Sequence, residues 1–213
     1  MIKVMIVDDH RLVRKGISSL LANASDISVV GEAESGEEAI QAVKEYQPHI
    51  ILMDLQMQGI GGLEATKKLL RSFPHLKILV VTVCENDIFP SRLLDAGASG
   101  YVTKNASTEE IILAIREVYQ GKCYICASIA QKLAVHRYAR SEKKTILDTL
   151  SSRELQILVT IAQGKKTPAI AKTLHLSPKT INTYRYRLFE KLGIKNDVEL
   201  THIALQNNLL AVE

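Results

Sequence analysis

The chain has 213 residues, 46% of them hydrophobic, and this is sufficient for one or two globular domains. It has no uncharged apolar stretch of the roughly 18 residues that a membrane-spanning helix needs. Its N-terminus also lacks the basic segment and long apolar core of a secretion signal. We therefore expect a cytoplasmic protein with no membrane partner.

The net charge of +4 is divided unevenly along the chain. Residues 1–120 carry 12 Lys and Arg against 16 Asp and Glu, whereas residues 121–213 carry 15 against 7. An acidic half joined to a basic half indicates a nucleic-acid-binding segment at the C-terminal end. Uneven solvation of two ordinary surfaces would give the same imbalance, so charge alone does not decide between them.

Short apolar runs alternate with helix-like segments over residues 1–119. The five runs are Ile2–Val7, Ile27–Ala33, Ile50–Met53, Ile78–Val81 and Gly100–Thr103. Several are continuous, which is typical of strands covered on both faces. In the first helix-like segment the apolar residues are Leu12, Ile17, Leu20 and Leu21. The alternation predicts an α/β domain over residues 1–120, with a five-stranded parallel sheet doubly wound by helices.

Polar side chains stand where four of these predicted strands end. Asp8 and Asp9 follow the first strand, Asp54 follows the third, and Thr82 and Lys104 end the fourth and fifth. Ligands of such sheets bind at this edge. Three carboxylates in one crevice repel one another unless a divalent cation lies among them, and Mg²⁺ prefers oxygen ligands. Each residue alone could be a turn or a solvated strand end, but together they suit phosphoryl transfer to a carboxylate.

Residues 121–148 predict a linker with one short helix. Cys123 and Cys126 form a Cys-x-x-Cys pair within it. A structural zinc site needs four ligands, and neither a second pair nor suitably spaced histidines is present. We therefore do not expect a metal or redox site there.

From residue 149 onward the pattern is wholly helical. The predicted helices are Ser152–Gln163, Pro168–Leu174, Pro178–Leu192 and Asp197–Asn207. Thr167 and Ser177 each precede a proline and are predicted to cap a helix. Gly164 and Gly193 follow helix ends, where a positive φ is needed. Residues 149–213 are thus predicted to form an all-α domain of four helices.

Four motifs of the first half resemble the receiver domain of two-component response regulators, which has a flavodoxin- and CheY-like fold. The motifs are Val7-Asp8-Asp9-His10, Met53-Asp54, Val81-Thr82 and Gly100-Tyr101-Val102-Thr103-Lys104. The resemblance implies that Asp54 is the phosphoacceptor, and that Asp8, Asp9 and Asp54, together with the backbone carbonyl of Gln56, hold Mg²⁺. His10 is expected to be a capping or surface residue.

The same resemblance implies how the phosphoryl group is sensed. Thr82 would be the switch hydroxyl, Tyr101 the switch aromatic residue and Lys104 the cation that pairs with the phosphate. Two positions depart from the family pattern. Gln58 replaces the usual proline of a Met-Pro-Gly turn, which predicts a less rigid loop. Asn105 replaces a proline that frequently follows the lysine, so the sequence does not decide whether the peptide bond before it is cis, as is usual in the family.

The second half resembles the LuxR-type helix-turn-helix domain. Matching segments include Gly164, Ile170-Ala171, Leu176-Ser177, Thr180-Ile181 and Lys191-Leu192. A receiver domain with this partner defines the NarL/FixJ class of response regulators. The run from Leu176 to Arg187 is similar to the GacA/UvrY branch, which activates small regulatory RNAs.

The predicted third helix of this domain is the candidate DNA-reading element. Ile181, Leu188 and Leu192 fall on one face for packing, and the N-terminal half of such a helix can reach base edges in a major groove. By the resemblance, Asn182, Thr183 and Tyr186 contact bases. The remaining candidate DNA contacts of the helix are Lys179, Thr180, Arg185, Arg187 and Lys191, with its basic residues assigned to phosphates.

The resemblance implies a regulator that a sensor histidine kinase phosphorylates on Asp54 and that then binds double-stranded DNA as a homodimer. Its targets would be small regulatory RNA genes or genes of the virulence and stationary-phase type. No enzymatic activity is expected beyond slow self-dephosphorylation. The alternative is a Mg²⁺-dependent phosphohydrolase with an aspartyl-phosphate intermediate. It is disfavoured because such enzymes place the nucleophile and a second acid two residues apart on the first strand, whereas Asp8 and Asp9 are adjacent here. A ligand-sensing LuxR-type regulator is a third option, but it would not need the acidic strand ends.

Overall fold

The computed structural model describes residues 1–82, 88–139, 146–207 and 209–210. They divide into two compact units, the first of residues 1–82 and 89–133 and the second of residues 134–139, 146–207 and 209–210, with Ile88 grouped with the second. The domain bounds of 1–120, 121–148 and 149–213 stay predictions, and linker residues 140–145 lie outside the described part.

A parallel sheet forms the centre of the first unit. Its strands are β1 (Ile2–Val7), β2 (Ile27–Ala33), β3 (Ile50–Met53), β4 (Lys77–Thr82), β5 (Gly100–Thr103) and β6 (Tyr124–Ile125). They lie in the order β2-β1-β3-β4-β5-β6, and all neighbouring strands are parallel. The five predicted strands are confirmed to within one residue at each end, and β6 is an addition.

Helices cover both faces of the sheet, as the continuous apolar strands predict. They are α1 (Arg11–Leu21), α2 (Gly36–Tyr46), α3 (Gly61–Ser72), α4 (Ile88–Asp95), α5 (Thr108–Tyr119) and the part of α6 (Ala127–Ala139) that ends at Leu133. Successive strand residues point to opposite faces. Met5 and Val7 therefore belong to the core that includes residues of α2 and α3, whereas Val4 and Ile6 belong to the core that includes residues of α1 and α5.

The predicted apolar face of α1 is partly wrong. Ile17 and Leu21 are buried, but Leu12 is 86% exposed and Leu20 is 39% exposed. Arg14 takes the buried position one turn before Ile17. The guanidinium of Arg14 can be buried because it donates three hydrogen bonds, and hydrophobic periodicity alone does not predict such a polar residue on the buried face.

The sixth strand extends the first unit into the predicted linker. The Tyr124 N–H donates to the Ser99 carbonyl at 3.2 Å, and the Cys126 N–H donates to the Tyr101 carbonyl at 3.0 Å. Cys126 and Ile129 then pack into the same core as Tyr101. Cys123 is exposed, and both cysteines are free thiols. The linker therefore contributes an edge strand and core residues to the first unit.

The second unit consists of helices. A 3₁₀ turn at Ile146–Thr149 precedes α7 (Ser152–Ala162), α8 (Thr167–Thr173), α9 (Pro178–Leu192) and α10 (Asp197–Gln206). This confirms the predicted four-helix domain. Its buried apolar residues include Leu155, Leu158, Ile170, Ile181, Leu188 and Leu200.

Most predicted helix ends agree with the structure. The Ser177 hydroxyl accepts the Thr180 N–H at 3.0 Å, and Gly164 and Gly193 have φ values of +76° and +66°. The predicted Thr167 cap is wrong, because α8 begins at Thr167 itself and its hydroxyl accepts a hydrogen bond from Arg185 at 3.3 Å. Among the described helices, none is both long and apolar enough to span a bilayer.

Candidate functional site

Hydrogen bonds extend the sheet one residue past its strand ends and thereby fix the predicted site residues. The Asp8 N–H donates to the Ala33 carbonyl at 3.1 Å, and the Asp54 N–H donates to the Val7 carbonyl at 2.9 Å. On the other side of the sheet centre, the Lys104 N–H donates to the Thr82 carbonyl at 2.9 Å. The backbone ladder therefore brings the four strand ends to one edge.

The Lys104 ammonium group bridges two buried carboxylates at this edge. Its Nζ lies 2.5 Å from Oδ2 of Asp8 and 3.0 Å from Oδ2 of Asp54. Only 2% of each Asp side chain is exposed, against 14% of Lys104. A cation among carboxylates that are shielded from water offsets their mutual repulsion.

The shielding changes how these groups bind protons. Burial raises the pKa of Asp54 above its ordinary value, although the attraction of Lys104 acts in the opposite direction. Burial also acts to lower the pKa of Lys104, but the nearby Asp54 and Asp8 outweigh it, so that the pKa of Lys104 is raised. The ammonium group therefore stays charged near neutral pH, next to a carboxylate whose ionisation depends on it.

The oxygen atoms around Asp54 fit a small divalent cation. Potential ligand atoms of Asp8, Asp9, His10 and Asp54 all lie within 4.8 Å of one another. Oδ1 of Asp9 is buried and accepts no hydrogen bond among the described residues, although Nδ1 of His10 lies 2.8 Å away. Carboxylate oxygens of Asp8, Asp9 and Asp54 gathered within 4.8 Å of one another are a fitting ligand set for Mg²⁺. His10 itself is a surface residue with 67% of its side chain exposed.

The loop after Asp54 borders this oxygen cluster. The Leu55 N–H donates to Oδ1 of Asp54 at 2.7 Å, and the Gln58 N–H donates to Oδ2 of Asp9 at 3.3 Å. Gln56 is exposed in the same loop, and the role of its carbonyl stays a prediction. Gly62 closes the loop against the sheet, because a Cβ atom there would lie 2.0 Å from the Asp54 carbonyl oxygen.

The two predicted switch residues are completely buried. Thr82 and Tyr101 each have 0% exposure. Tyr101 packs in the core that contains Leu93, Ala98 and Ile129, so its ring already points inward. The peptide bond before Asn105 is trans. The roles of Thr82 and Tyr101 as switch residues stay predictions.

Arg14 is a functional candidate that the sequence reasoning missed. Its Nη1 donates to the Asp8 carbonyl at 2.7 Å, while Nε and Nη2 donate to Glu32 at 3.2 Å and Glu34 at 2.5 Å. The side chain thus ties the end of β1 to the end of β2. Its signal in the sequence was its position three and seven residues before Ile17 and Leu21, on the buried face of α1.

In the second unit, α9 has the predicted division between a packing face and a polar face. Ile181, Leu188 and Leu192 are the buried residues of this helix. The candidates that are exposed are Lys179, Asn182, Thr183, Tyr186, Arg187 and Lys191, and Tyr186 is 71% exposed. A large exposed aromatic side chain among basic and polar neighbours is typical of a nucleic-acid surface.

Two of the predicted DNA contacts have acidic partners within their own unit. Arg185 forms an ion pair with Asp197, and its Nε donates to Oδ1 at 2.6 Å. Nζ of Lys191 lies 2.8 Å from Oε2 of Glu154. These contacts connect α9 to α10 and to α7. Binding of a DNA phosphate by either side chain would compete with a contact that stabilises the fold.

Smaller contacts occupy three further candidates on α9. The Thr180 hydroxyl lies 2.8 Å from the Ser177 hydroxyl, and the Thr183 hydroxyl donates to the Lys179 carbonyl at 3.0 Å. The Arg187 guanidinium lies 5.9 Å from the centroid of the Tyr184 ring. Assignment of these residues to bases or phosphates stays a prediction.

Comparison with known proteins agrees with both units. The family model of the response regulator receiver domain matches residues 4–116, and the model of bacterial regulatory proteins of the luxR family matches residues 148–204. The chain is 51% identical over 210 residues to the response regulator GacA of Pseudomonas aeruginosa, covering 99% of this chain and 98% of that one. It is 46% identical over 213 residues to the response regulator UvrY of Escherichia coli, covering 100% and 98%.

Solved structures show the same architecture. The RcsB response regulator of Salmonella typhimurium matches with a TM-score of 0.61 at 29% identity, over 96% of this chain and 98% of that one. A structure of RcsB dimers bound to DNA matches with a TM-score of 0.60 at 31% identity, over 94% and 96%. The chain therefore belongs to the two-component response regulators of the NarL/FixJ class, which join a receiver domain to a LuxR-type helix-turn-helix domain.

Proposed function

We propose that a sensor histidine kinase transfers a phosphoryl group to Asp54 and that this modification controls binding of the second unit to double-stranded DNA. The observation that carries the proposal is the position of the Asp54 carboxylate. It lies at the C-terminal edge of a parallel sheet, 3.0 Å from the Lys104 ammonium group and within 4.8 Å of potential ligand atoms of Asp8 and Asp9. A carboxylate, a cation and ligands for a divalent ion are what phosphoryl transfer to an aspartate requires.

Each side chain of the site has a defined task in this proposal. Asp54 attacks the phosphorus of the donor through a carboxylate oxygen, and the donor's phosphoramidate bond breaks. Asp8 and Asp9, with Asp54 and the Gln56 carbonyl, would hold Mg²⁺, which supplies positive charge to the phosphoryl oxygens. Lys104 would exchange its ion pair with the Asp54 carboxylate for one with the new phosphoryl group, which is attached to the same side chain. The Thr82 hydroxyl would donate a hydrogen bond to another phosphoryl oxygen.

The charge of the phosphoryl group would then change the packing of the residues around it. The acyl phosphate carries about −1.5 to −2 charges and replaces the charge of a carboxylate that is 2% exposed. The movement of Thr82 and Lys104 toward this charge alters the packing beside Tyr101, which shares a core with α4 and β6. A few kcal/mol of differential stabilisation is sufficient to change which state dominates. We propose that this frees the second unit to form a homodimer.

The dimer would read DNA through α9. We propose that Asn182, Thr183 and Tyr186 contact base edges, since they are exposed on its N-terminal half and middle. The DNA-bound RcsB dimers support a dimeric complex for this chain. Two recognition helices related by a two-fold axis reach half-sites about 34–36 Å apart, or a multiple of this distance. Phosphate contacts are assigned to Lys179, Arg185, Arg187 and Lys191, while Thr180 is a further DNA contact.

The similarity to GacA and UvrY extends the proposal to the targets. We propose that the chain acts in the cytoplasm, where its DNA is, and that it activates small regulatory RNA genes or genes of the virulence and stationary-phase type. It acts as a phosphoacceptor with at most slow self-dephosphorylation. The phosphohydrolase alternative is not favoured, because it leaves the luxR-family match of residues 148–204 without a purpose.

The acceptor is tested by labelling with acetyl phosphate and Mg²⁺, followed by intact-mass spectrometry. Asp54→Asn keeps an oxygen that can accept the Leu55 N–H but removes the nucleophile, so we expect no added phosphoryl mass. Asp95→Asn removes an exposed carboxylate of the same unit and should be labelled like the unaltered chain. Normal labelling of Asp54→Asn would place the acceptor elsewhere.

A further inference from the structure

The loop Leu55–Ile60 carries the proposed carbonyl ligand but lacks the proline that would stiffen it. Gln58 stands at that position, and its side chain is exposed. The position of the Gln56 carbonyl therefore depends on whatever holds the backbone of the loop. Two N–H groups of the loop donate hydrogen bonds to carboxylates from other parts of the chain. The Gln58 N–H donates to Asp9, and the Ile60 N–H donates to Glu37.

Glu37 reaches the loop from the first turn of α2. Its Oε1 accepts the Ile60 N–H at 3.1 Å. Its carboxylate also lies directly against Gly59, because a Cβ atom at Gly59 would be 2.4 Å and 2.5 Å from the two oxygens. Gly59 has a φ of +73°, which side chains rarely adopt, so the tight turn and the close carboxylate occur at the same residue.

The second oxygen of the half-buried Glu37 is shielded from water. Oε2 is buried and accepts no hydrogen bond among the described residues. Burying a carboxylate oxygen without a donor is unfavourable. The other oxygen and the fit against Gly59 offset this cost only while the loop keeps its present conformation. The loop and Glu37 therefore constrain each other.

The contact from Asp9 cannot replace that of Glu37. Its hydrogen bond with Gln58 is long, at 3.3 Å, and Asp9 belongs to the oxygen cluster that would hold the cation. A cation at the site competes with the Gln58 N–H for the same carboxylate. Glu37 lies outside the cluster of potential ligand atoms, so its hold on the loop is independent of the cation.

We propose that Glu37 is a positioning residue for the Mg²⁺ site, which fixes the loop Leu55–Ile60 and thereby the carbonyl of Gln56. It takes the part that a proline at position 58 would otherwise have. The inference rests on the proposed function only in placing a cation among Asp8, Asp9 and Asp54. Groups that orient metal ligands from outside typically change metal affinity by about 10–100-fold when they are removed.

The test is a calorimetric Mg²⁺ titration of the full chain in three variants. Glu37→Ala removes the acceptor, and we expect its dissociation constant for Mg²⁺ to rise about tenfold. Glu37→Gln keeps an oxygen for the Ile60 N–H and should restore most of the affinity. Glu45→Ala is the matched control, because it removes an exposed carboxylate from the same helix and should leave the affinity unchanged. Equal affinities in Glu37→Ala and Glu45→Ala would overturn the inference.

Amide hydrogen exchange supplies a readout without the cation. In Glu37→Ala the Ile60 amide should exchange faster than in the unaltered chain, whereas in Glu37→Gln it should stay protected. If Glu37→Ala does not fold, the comparison passes to Glu37→Asp, which is one methylene too short for the contact. Weaker Mg²⁺ binding in Glu37→Asp than in Glu37→Gln supports the inference, and equal binding overturns it.

The outcomes also separate this inference from the proposed function. If the unaltered chain binds Mg²⁺ but Asp54 is not labelled by acetyl phosphate, the phosphoacceptor proposal fails and the titrations still decide the role of Glu37. If Asp54 is labelled but Glu37→Ala binds Mg²⁺ like the unaltered chain, the inference about Glu37 fails alone.

Discussion

Lys104 and Asp54 form an ion pair of 3.0 Å at the edge of the central sheet, and the same ammonium group lies 2.5 Å from Asp8. One cation therefore balances two carboxylates that are almost completely shielded from water. This arrangement stabilises the unphosphorylated site, and the same lysine is in position to meet a new phosphate. Because the carboxylates of Asp8 and Asp54 are almost completely buried, the site is sensitive to any change in its charge.

Lys104→Met should destabilise the first unit, because it leaves Asp8 and Asp54 as adjacent buried carboxylates. Breaking one side of a buried ion pair typically costs about 3–5 kcal/mol. We expect a loss of about 3 kcal/mol in the free energy of unfolding without divalent ions, part of which Mg²⁺ restores. Urea unfolding of the full chain with and without Mg²⁺ measures this. Lys68→Met, at an exposed position of α3, is the control, and an equal loss in both variants would contradict the role given to Lys104.

The Glu154–Lys191 pair predicts a pH dependence in the second unit. Burial acts to raise the pKa of Glu154, but hydrogen bonds from Lys191 and from the Ser151 N–H outweigh it and lower the pKa. A lowered pKa in the folded state means that the pair contributes stability above the ordinary Glu pKa of about 4.3. This contribution is lost as the pH falls from there through the lowered pKa.

Glu154→Gln should therefore lower the free energy of unfolding of the second unit by about 1–2 kcal/mol at neutral pH and by little at acidic pH. Hydrogen exchange of the α7 amides in the full chain, measured at both pH values, checks this. Glu190→Gln, which alters an exposed carboxylate of α9, should behave like the unaltered chain. A loss in Glu154→Gln that is the same at both pH values would show that the charge is not responsible.

Lys179 and Lys191 should differ in their effect on DNA binding, although both are basic residues of α9. Lys179 is exposed at the start of the helix, whereas Lys191 is paired with Glu154. Lys179→Ala should weaken binding to all sequences and reduce the slope of log affinity against log salt by about 0.9. Lys191→Ala should reduce the slope less. Affinities measured over a range of salt concentrations test this, and equal changes in slope would refute the distinction.

The sixth strand predicts that residues after 120 stabilise the receiver domain. Ile129 has 0% exposure and packs in the core with Tyr101. Ile129→Ala should lower the free energy of unfolding of the first unit by about 2–5 kcal/mol. Leu113→Ala removes a side chain that is 48% exposed, and its effect should be much smaller. Thermal unfolding of the full chain compares the two, and equal midpoints would mean that the segment around β6 contributes little.

Regular patterns made much of this molecule predictable. The continuous runs ending at Val7, Met53 and Thr103 predicted a doubly covered sheet, and their ends predicted which polar residues would meet. The period of Ile181, Leu188 and Leu192 likewise predicted the packing face of α9. These features depend on local sequence, because strand and helix periodicities are set by the backbone.

Features that depend on partners far away in the chain were missed. The spacing of Arg14 to Ile17 and Leu21 places it on the buried face of α1, but its hydrogen bonds to Glu32 and Glu34 depend on a different strand and could not be predicted locally. The two-residue strand β6 is defined by its pairing with β5 rather than by its own pattern. The ion pair between Arg185 and Asp197 was likewise not predicted, because it requires the packing of α9 against α10.

We propose that phosphorylation of Asp54 controls DNA binding, and an affinity measurement on the full chain tests this proposal. The full chain is titrated against a DNA fragment selected by its phosphorylated form, at fixed salt, with and without acetyl phosphate and Mg²⁺. We predict that the phosphodonor strengthens binding of the unaltered chain by about 5–150-fold, the usual range of coupling between two sites, and leaves Asp54→Asn unchanged. An equal response of both proteins to the phosphodonor, or no response of the unaltered chain, would show that phosphorylation of Asp54 does not control DNA binding.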